Sequence, residues 1–458
     1  MKELSVVVPT GALGFGMSFK EEPFHEAVRS YHPDLIGAQG ASADCGPLNL
    51  AAGIPWSPKS TPHDVEQMLT IGREANIPVI FSGAMGSGRN SMVDRMVALI
   101  KKIAAEKKLG RFKMAVIYSD VTREFLIEKL RRGKIKRFGM DRDLTEEEIS
   151  KSNTITLMMG AEPIIEAFKQ EPDVIVTGRC TDSATFAALP LKAGFDPALA
   201  WHFGKTIECG TACCRRARGK AAAGGSTLLA TIKDDHFLVE AVGDAVATEG
   251  SVITHSLYER ADPIHLLEPG IMLNLSNAKW EKSDRAVRVS GAKLTRRPYD
   301  VIIEGTTMVG YRSIAIFGVR DPILIKNINS VLSILKTTLS GEYRNVDFQT
   351  YFHVYGKNAI MEELEPSKDE PHEIAVVMEI VCKESLELAT EICYTAQGIF
   401  HHTLYEGVLQ ISGNLCALCS YDVFTPAMSH GVAYNWSIYD VLELEDPCEP
   451  FPIALMEI

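Results

Sequence analysis

Short apolar runs alternate with amphipathic stretches through the first half of the chain. Ser5–Val8, Leu35–Ala38, Pro78–Ser82, Met114–Tyr118, Thr154–Met158 and Asp173–Thr177 each read as a brief buried strand. Between them the period lengthens: Ser91–Lys107 places Met92, Met96, Leu99, Ile100 and Ile103 at helical spacing. Alternation of this kind predicts βα units with a mostly parallel sheet and helices on both faces. From about residue 225 the texture changes. Ser226–Thr231, Phe237–Val242, Ala286–Val289, Val301–Met308 and Ser313–Phe317 are strand-like, with few long helical patterns between them. Two helices are expected at Ile323–Leu339 and Ser385–Thr403, with strands at Val346–Val354 and His372–Val381 lying between them. The expectation is an α/β domain over residues 1–222, followed by an α+β domain over 223–458 with a largely antiparallel sheet. The small, flexible stretch from Gly219 to Gly225 marks the boundary.

The length of 458 residues fits two domains. At 46% apolar and 23% charged, the composition is that of a soluble globular protein. The net charge of −12 argues against a nucleic-acid partner. The basic runs at Arg131–Arg137 and Arg215–Lys220 are short, and read as solvated surface; the second can also help to hold an anion. The N-terminal apolar stretch is too short for a signal sequence, and no window is long enough to span a membrane. Ten cysteines without a secretory signal suggest reduced thiols in a cytoplasmic protein.

Candidate chemistry collects after the predicted strands. In Asp173-Val-Ile-Val-Thr-Gly-Arg-Cys-Thr-Asp182 a buried strand delivers a guanidinium, hydroxyls and a carboxylate to one spot. Ligands of open parallel sheets bind there, beyond the carboxyl ends of the strands. Arg179 can fork onto a carboxylate or phosphate, and Asp182 can carry a proton beside it, with Thr181 lining the site. A helix cap with a surface arginine explains the same residues. Ser82-Gly-Ala-Met-Gly-Ser-Gly-Arg89 follows another strand. The backbone at Ser82, Gly83, Gly86 and Gly88 suits an anion or developing oxyanion, although the segment lacks the Lys-Ser/Thr ending of a P-loop and can equally be a plain loop. A third loop, Gly40–Pro47, offers Ser42 and Asp44 at the same sheet edge. Gly11–Gly16 has the wrong spacing for a dinucleotide fingerprint, and no cofactor is expected.

His255 lies three residues before Tyr258 and four before Glu259, so the three can share a helix face; a structural histidine is the alternative. Lys205 and Glu208 precede Cys209, which suggests further substrate contacts. Cys209, Cys213 and Cys214, and the pair Cys416 and Cys419, lack the context of a zinc ribbon and read as buried free thiols, so no metal is assigned. No serine-hydrolase elbow or zincin motif occurs.

Taken in order, these segments resemble the acyclic terpene utilisation family. The resemblance rests on Gly14-Phe-Gly16, Pro33–Gly37, Ser42–Pro47, Gly178-Arg179 with Thr181-Asp182, and Lys205–Gly210. It continues through His255–Pro263, Arg288–Gly291, Gly310–Ser313, His353–Gly356 and Gly413-Asn414. One departure is Cys180, where the family pattern has a small apolar residue, which argues against a shared role for that thiol. The resemblance implies a place beside enzymes that handle branched carboxylic acids and their coenzyme A esters. The residues point first to a hydratase/dehydratase-type lyase. Arg179 would anchor a carboxylate, the Ser82–Gly88 loop would meet an oxyanion, and Asp182 or Asp44 would move the proton, with His255 nearby. Alternatives are a hydrolase using Cys209 with His202, or a non-catalytic ligand-binding subunit. Expected partners are a small carboxylate or coenzyme A ester, and either further copies of the chain or a small companion subunit.

Overall fold

The computed structural model describes residues 2–14, 16, 18–41, 46–54, 57–216, 225–258, 260, 262–408, 415–417 (backbone only) and 427–458. In chain order the first strands are β1 (Glu3–Val8), β2 (Leu35–Ala41), β3 (Val79–Gly86), β4 (Lys113–Ile117), β5 (Ile135–Arg137), β6 (Thr154–Met158) and β7 (Val174–Thr177). The helices among them are α1 (Glu21–Tyr31), α2 (Gly46–Ala52), α3 (Ser60–Ala75), α4 (Asn90–Lys107), α5 (Arg123–Arg131), α6 (Glu146–Lys151) and α7 (Glu162–Phe168). Helices α8 (Asp182–Lys192) and α9 (Pro197–Ile207) follow β7. Next come β8 (Ser226–Lys233), β9 (Phe237–Gly243), α10 (Glu249–Ser256), β10 (His265–Glu268), β11 (Ile271–Asn274), β12 (Lys279–Ser283), β13 (Ala286–Ser290) and β14 (Lys293–Arg296). The chain ends with β15 (Tyr299–Val319), α11 (Pro322–Glu342), β16 (Phe348–Tyr355), β17 (Ile374–Cys382), α12 (Leu386–His402), β18 (Leu415–Ala417), β19 (Met428–Leu444) and β20 (Ile453–Glu457).

Two compact units result: residues 1–307 with 436–458, and residues 308–435. The first is built on a ten-stranded sheet in the order β12-β13-β9-β8-β1-β2-β3-β7-β4-β20. Its centre, β1-β2-β3-β7-β4, is parallel. The flanking strands are antiparallel. Strand period places alternate residues on opposite faces. Val7, Ile36, Val79, Phe81, Met114 and Val176 pack with α1, α3 and α4 in one apolar core. Val6, Val8, Leu35, Ile80, Ala115 and Ile175 pack with α7, α8 and α9 in the other. The predicted α/β sheet with helices on both faces is therefore present, and antiparallel pairing prevails in the later part of the chain.

Two expectations are corrected. The sequence division at 222/223 does not coincide with the compact units: β8 lies just beyond it yet pairs along all of β1, from Glu3 opposite Lys233 to Val8 opposite Leu228. Strand β6 is also absent from the parallel sheet. It pairs antiparallel with the start of β15, Thr154 opposite Thr306 and Met158 opposite Ile302.

In the second unit β16, β17 and the later half of β15 form an antiparallel sheet. Helices α11 and α12 cover one face. Ile328, Leu335, Ile392 and Phe400 pack there on Phe317, Val376, Met378 and Ile380. No helix among the described residues is long and apolar enough to cross a membrane.

Candidate active site

The turn after β7 is a structural joint before it is anything else. The Arg179 N–H donates to Ser119 Oγ (2.8 Å), and the Ser119 hydroxyl donates to Gly88 O (3.1 Å). The Gly83 N–H donates to Gly178 O and to Thr177 Oγ1 (both 3.2 Å). Gly88 (φ +70°) must be glycine, because a Cβ there would lie 2.6 Å from the Arg179 nitrogen. Ser82 is buried and accepts a hydrogen bond from Thr185 on α8 (2.8 Å). In the Ser82–Gly88 loop the N–H groups of Gly83 and Gly88 are thus already bonded within the protein, the latter to Ala84 O (3.0 Å). Gly86 ends β3, paired beside Ala41.

Arg179 itself is buried, and its fork is occupied. Nε and Nη2 donate to Glu304 Oε2 and Oε1 at 2.9 and 3.1 Å. Burial works against the charged guanidinium, but Glu304 outweighs it and raises its pKa. The residue expected to hold a substrate carboxylate therefore holds one from β15.

A second polar group gathers beside this pair, from the start of α8, the end of α9, the end of α10 and the end of β10. Thr181 precedes α8 as its N-cap, makes no side-chain cap bond, and sends its N–H to Met159 O (2.9 Å). Asp182 is the first residue of α8 and is only partly exposed. Burial and the nearby Glu208 push its pKa up to about 8, against the pull of Arg179 and Lys205. Buried Lys205 donates to Glu208 Oε1 (2.5 Å), one turn further along, and its ammonium lies 4.4 Å from the centre of the Tyr258 ring. Burial opposes the charge on Lys205, but Glu208 raises its pKa overall. Ser183 donates to Glu268 Oε1 (2.5 Å). Burial carries the half-buried Glu268 up to about 7, helped by Glu208 and opposed by Ser183, Thr181 and Lys205.

Cys209 and Tyr258 meet at 3.0 Å between Sγ and the hydroxyl oxygen, and Tyr258 also donates to Glu208 Oε1 (3.5 Å). Helix α10 ends at Ser256, yet the His255 and Tyr258 rings still stack, 4.5 Å apart and 21° from parallel. Burial and Lys205 depress His255 to about 4, so its ring is neutral at ordinary pH. Arg260 donates to Ser256 O, while its Nε and Nη1 are buried without a hydrogen-bond partner among the described residues.

Of the expected site residues, the structure brings Thr181, Asp182, Lys205, Glu208 and His255 together. It commits Arg179, Ser82, Gly83 and Gly88 to internal bonds. Ser42 and Asp44 lie outside the described residues, as do Glu259 and Cys419. Glu268, Ser183 and Arg260 were not singled out as site residues from the sequence, and Tyr258 was expected only as a helix-face neighbour of His255. A density of ionisable and hydroxyl groups around His255–Pro263 was the signal available for Arg260 and Tyr258.

Cys209 is ill suited to nucleophilic attack. Burial and Glu208 push its thiol up to about 12, the opposite of an activated thiolate. His202 is fully buried, edge-on to Phe237 (5.3 Å) and Trp280 (5.8 Å), with neither ring nitrogen hydrogen-bonded among the described residues. Burial and Arg260 lower it to about 3 from 6.5. Below pH 6.5 the unfolded chain takes up a proton here that the folded chain refuses, so this residue makes stability fall with pH down to about 3. Replacing it with phenylalanine is expected to change the wild-type-minus-variant unfolding free energy by about 1.4 kcal/mol per pH unit across that window, against the wild type as pH falls. Denaturant unfolding at several pH values checks this through the slope, from which any packing defect cancels. A pH-independent difference would mean the ring protonates inside the fold.

No curated protein and no solved structure matches the chain. The family model for acyclic terpene utilisation family protein AtuA matches residues 58–410, more than half of the chain and the segments carrying Asp182, Lys205, Glu208, His255 and Glu268. The chain belongs to the acyclic terpene utilisation family, AtuA.

Proposed function

We propose that this chain is an enzyme that adds or removes water at a small branched carboxylic acid, or at its coenzyme A thioester, in acyclic terpene catabolism. Its active site is the polar cluster formed by Asp182, Lys205, Glu208, Tyr258, Arg260 and Glu268. One observation carries this reading. A partly exposed carboxyl, Asp182, is held protonated at neutral pH beside the Lys205–Glu208 ion pair and a second raised carboxyl, Glu268. A carboxyl held protonated at neutral pH can donate a proton, and a neighbouring ionised one can accept it. Asp182 is the proton donor, and Glu208 or Glu268 accepts a proton. The Lys205 ammonium and the unpartnered N–H groups of Arg260 supply positive charge for an enolate or carboxylate oxygen. Arg179 then serves as a support, fixing the turn from which Asp182 projects.

The test uses the purified full-length chain in deuterium oxide with branched α,β-unsaturated acids, the matching 3-hydroxy acids, and the coenzyme A thioesters of both. The expected result is interconversion of the hydrated and unsaturated forms, with deuterium appearing at the carbon next to the carbonyl. Saturable binding with no exchange would replace this reading with a ligand-binding subunit. Thioester cleavage abolished by thiol alkylation would replace it with a Cys209 hydrolase.

A further inference from the structure

The cluster contains a donor set of which the proton chemistry above uses only Glu208. A ring nitrogen of His255, the Cys209 sulfur and a carboxylate oxygen of Glu208 all lie within 4.8 Å of one another. They come from two different places in the chain, the end of α9 and the end of α10, so proximity in sequence accounts for only one of the three contacts. His255 is 7% exposed, and its Nε2 is buried with no hydrogen-bond partner among the described residues. A buried imidazole nitrogen left without a partner costs free energy unless something occupies it.

We propose that Glu208, Cys209 and His255 bind one divalent transition-metal ion of the zinc type, leaving a fourth position open to water or a substrate oxygen. Thiolate, imidazole and carboxylate together select zinc-like ions over magnesium or calcium, which prefer all-oxygen sites. Bonds of about 2.0–2.3 Å require the three side chains to draw in by roughly 1 Å, within the reach of small rotamer changes. Three protein ligands with an open position are the arrangement of catalytic rather than structural zinc. The ion gives His255 its missing partner. Lys205 contacts Glu208 Oε1 and limits affinity, because its ammonium repels the incoming ion. On binding, the Cys209 S–H bond breaks, its electron pair goes to the metal and its proton to solvent, so affinity rises with pH. Any part the ion plays in turnover rests on the function proposed above; its binding does not.

The experiment therefore avoids turnover. The full chain, stripped with a chelator and kept reduced, is titrated with Co²⁺. The expected result is saturation at one equivalent with an intense thiolate-to-cobalt charge-transfer absorption, which Zn²⁺ displaces. Cys209→Ser should abolish that band. His255→Ala should weaken binding by about tenfold or more, and the Cys416→Ser/Cys419→Ser double variant should leave it intact. Absence of a saturable band, or a band that survives Cys209→Ser, overturns the site. Should Cys209→Ser fail to fold, X-ray absorption at the cobalt edge of the wild-type complex decides the matter. One sulfur ligand is expected, and a shell of nitrogen and oxygen alone overturns the proposal. A chain that binds the ion yet shows no exchange in deuterium oxide would retain the metal site and lose the lyase.

Discussion

Asp182→Asn is expected to lower turnover by about 10²–10⁴-fold, with thermal stability equal to or above that of the wild type. The loss follows from the role of the group: asparagine keeps the size and hydrogen-bonding capacity of a protonated aspartate but cannot release a proton. The preserved stability follows from its surroundings. Burial and Glu208 disfavour the charged carboxylate, so a neutral amide is no worse a neighbour. The pH profile gives a second and sharper reading. A proton donor with a pKa of about 8 works below that value and fails above it, so kcat/KM of the wild type should fall on the alkaline side of about pH 8. In Asp182→Asn that limb should vanish from the residual activity. Because Thr181 is the N-cap and no side-chain cap bond is made, a capping role for Asp182 has little structural support. A variant with full activity and an unchanged alkaline limb would remove Asp182 from the chemistry and leave Glu268 as the next donor to test.

The periodicities that predict the elements also predict their faces, which is why β1–β4, β7, α4 and both long helices of the second unit fall within a few residues of expectation. What periodicity does not carry is partnership. Thr154–Met158 has the pattern of a buried strand whichever neighbour it takes, and its neighbour, Ile302–Thr306, lies far along the chain. Val301–Met308 and Ser313–Phe317 look like two strands but form one, β15, because the backbone between them stays extended and Tyr311 and Arg312 already pair with Cys382 and Val381. The site shows the same limit. A guanidinium just beyond a parallel strand is equally consistent with binding a ligand and with binding the protein. A sign of the latter was present: Glu304 stands alone in the apolar run Val301-Ile-Ile-Glu-Gly, and a lone carboxylate in a buried strand needs a cation. Likewise the Gly-rich loop has the composition of an anion nest, whereas Gly88 is small because the Arg179 backbone passes against it.

That distinction yields the largest stability effect expected of any single change. Glu304→Ala should destabilise the first unit by about 3–5 kcal/mol, because it leaves the Arg179 guanidinium buried without its carboxylate. The side chains are only 5% and 3% exposed, so water cannot take over the lost hydrogen bonds. Arg179→Lys should also destabilise, by less, since an ammonium replaces a two-pronged contact with a single point charge. The double change Arg179→Met with Glu304→Leu removes both charges together, and should recover most of the stability lost in Glu304→Ala. Chemical unfolding of the four proteins, followed by a probe in the first unit, measures each step of this cycle. If Arg179 held substrate instead, the pattern would invert. Glu304→Ala would free the guanidinium, leave stability near wild type and tighten carboxylate binding, and Arg179→Lys would weaken that binding at unchanged stability. The two-pronged contact at 2.9 and 3.1 Å favours the first pattern, with the arginine holding β15 against the turn that presents Asp182.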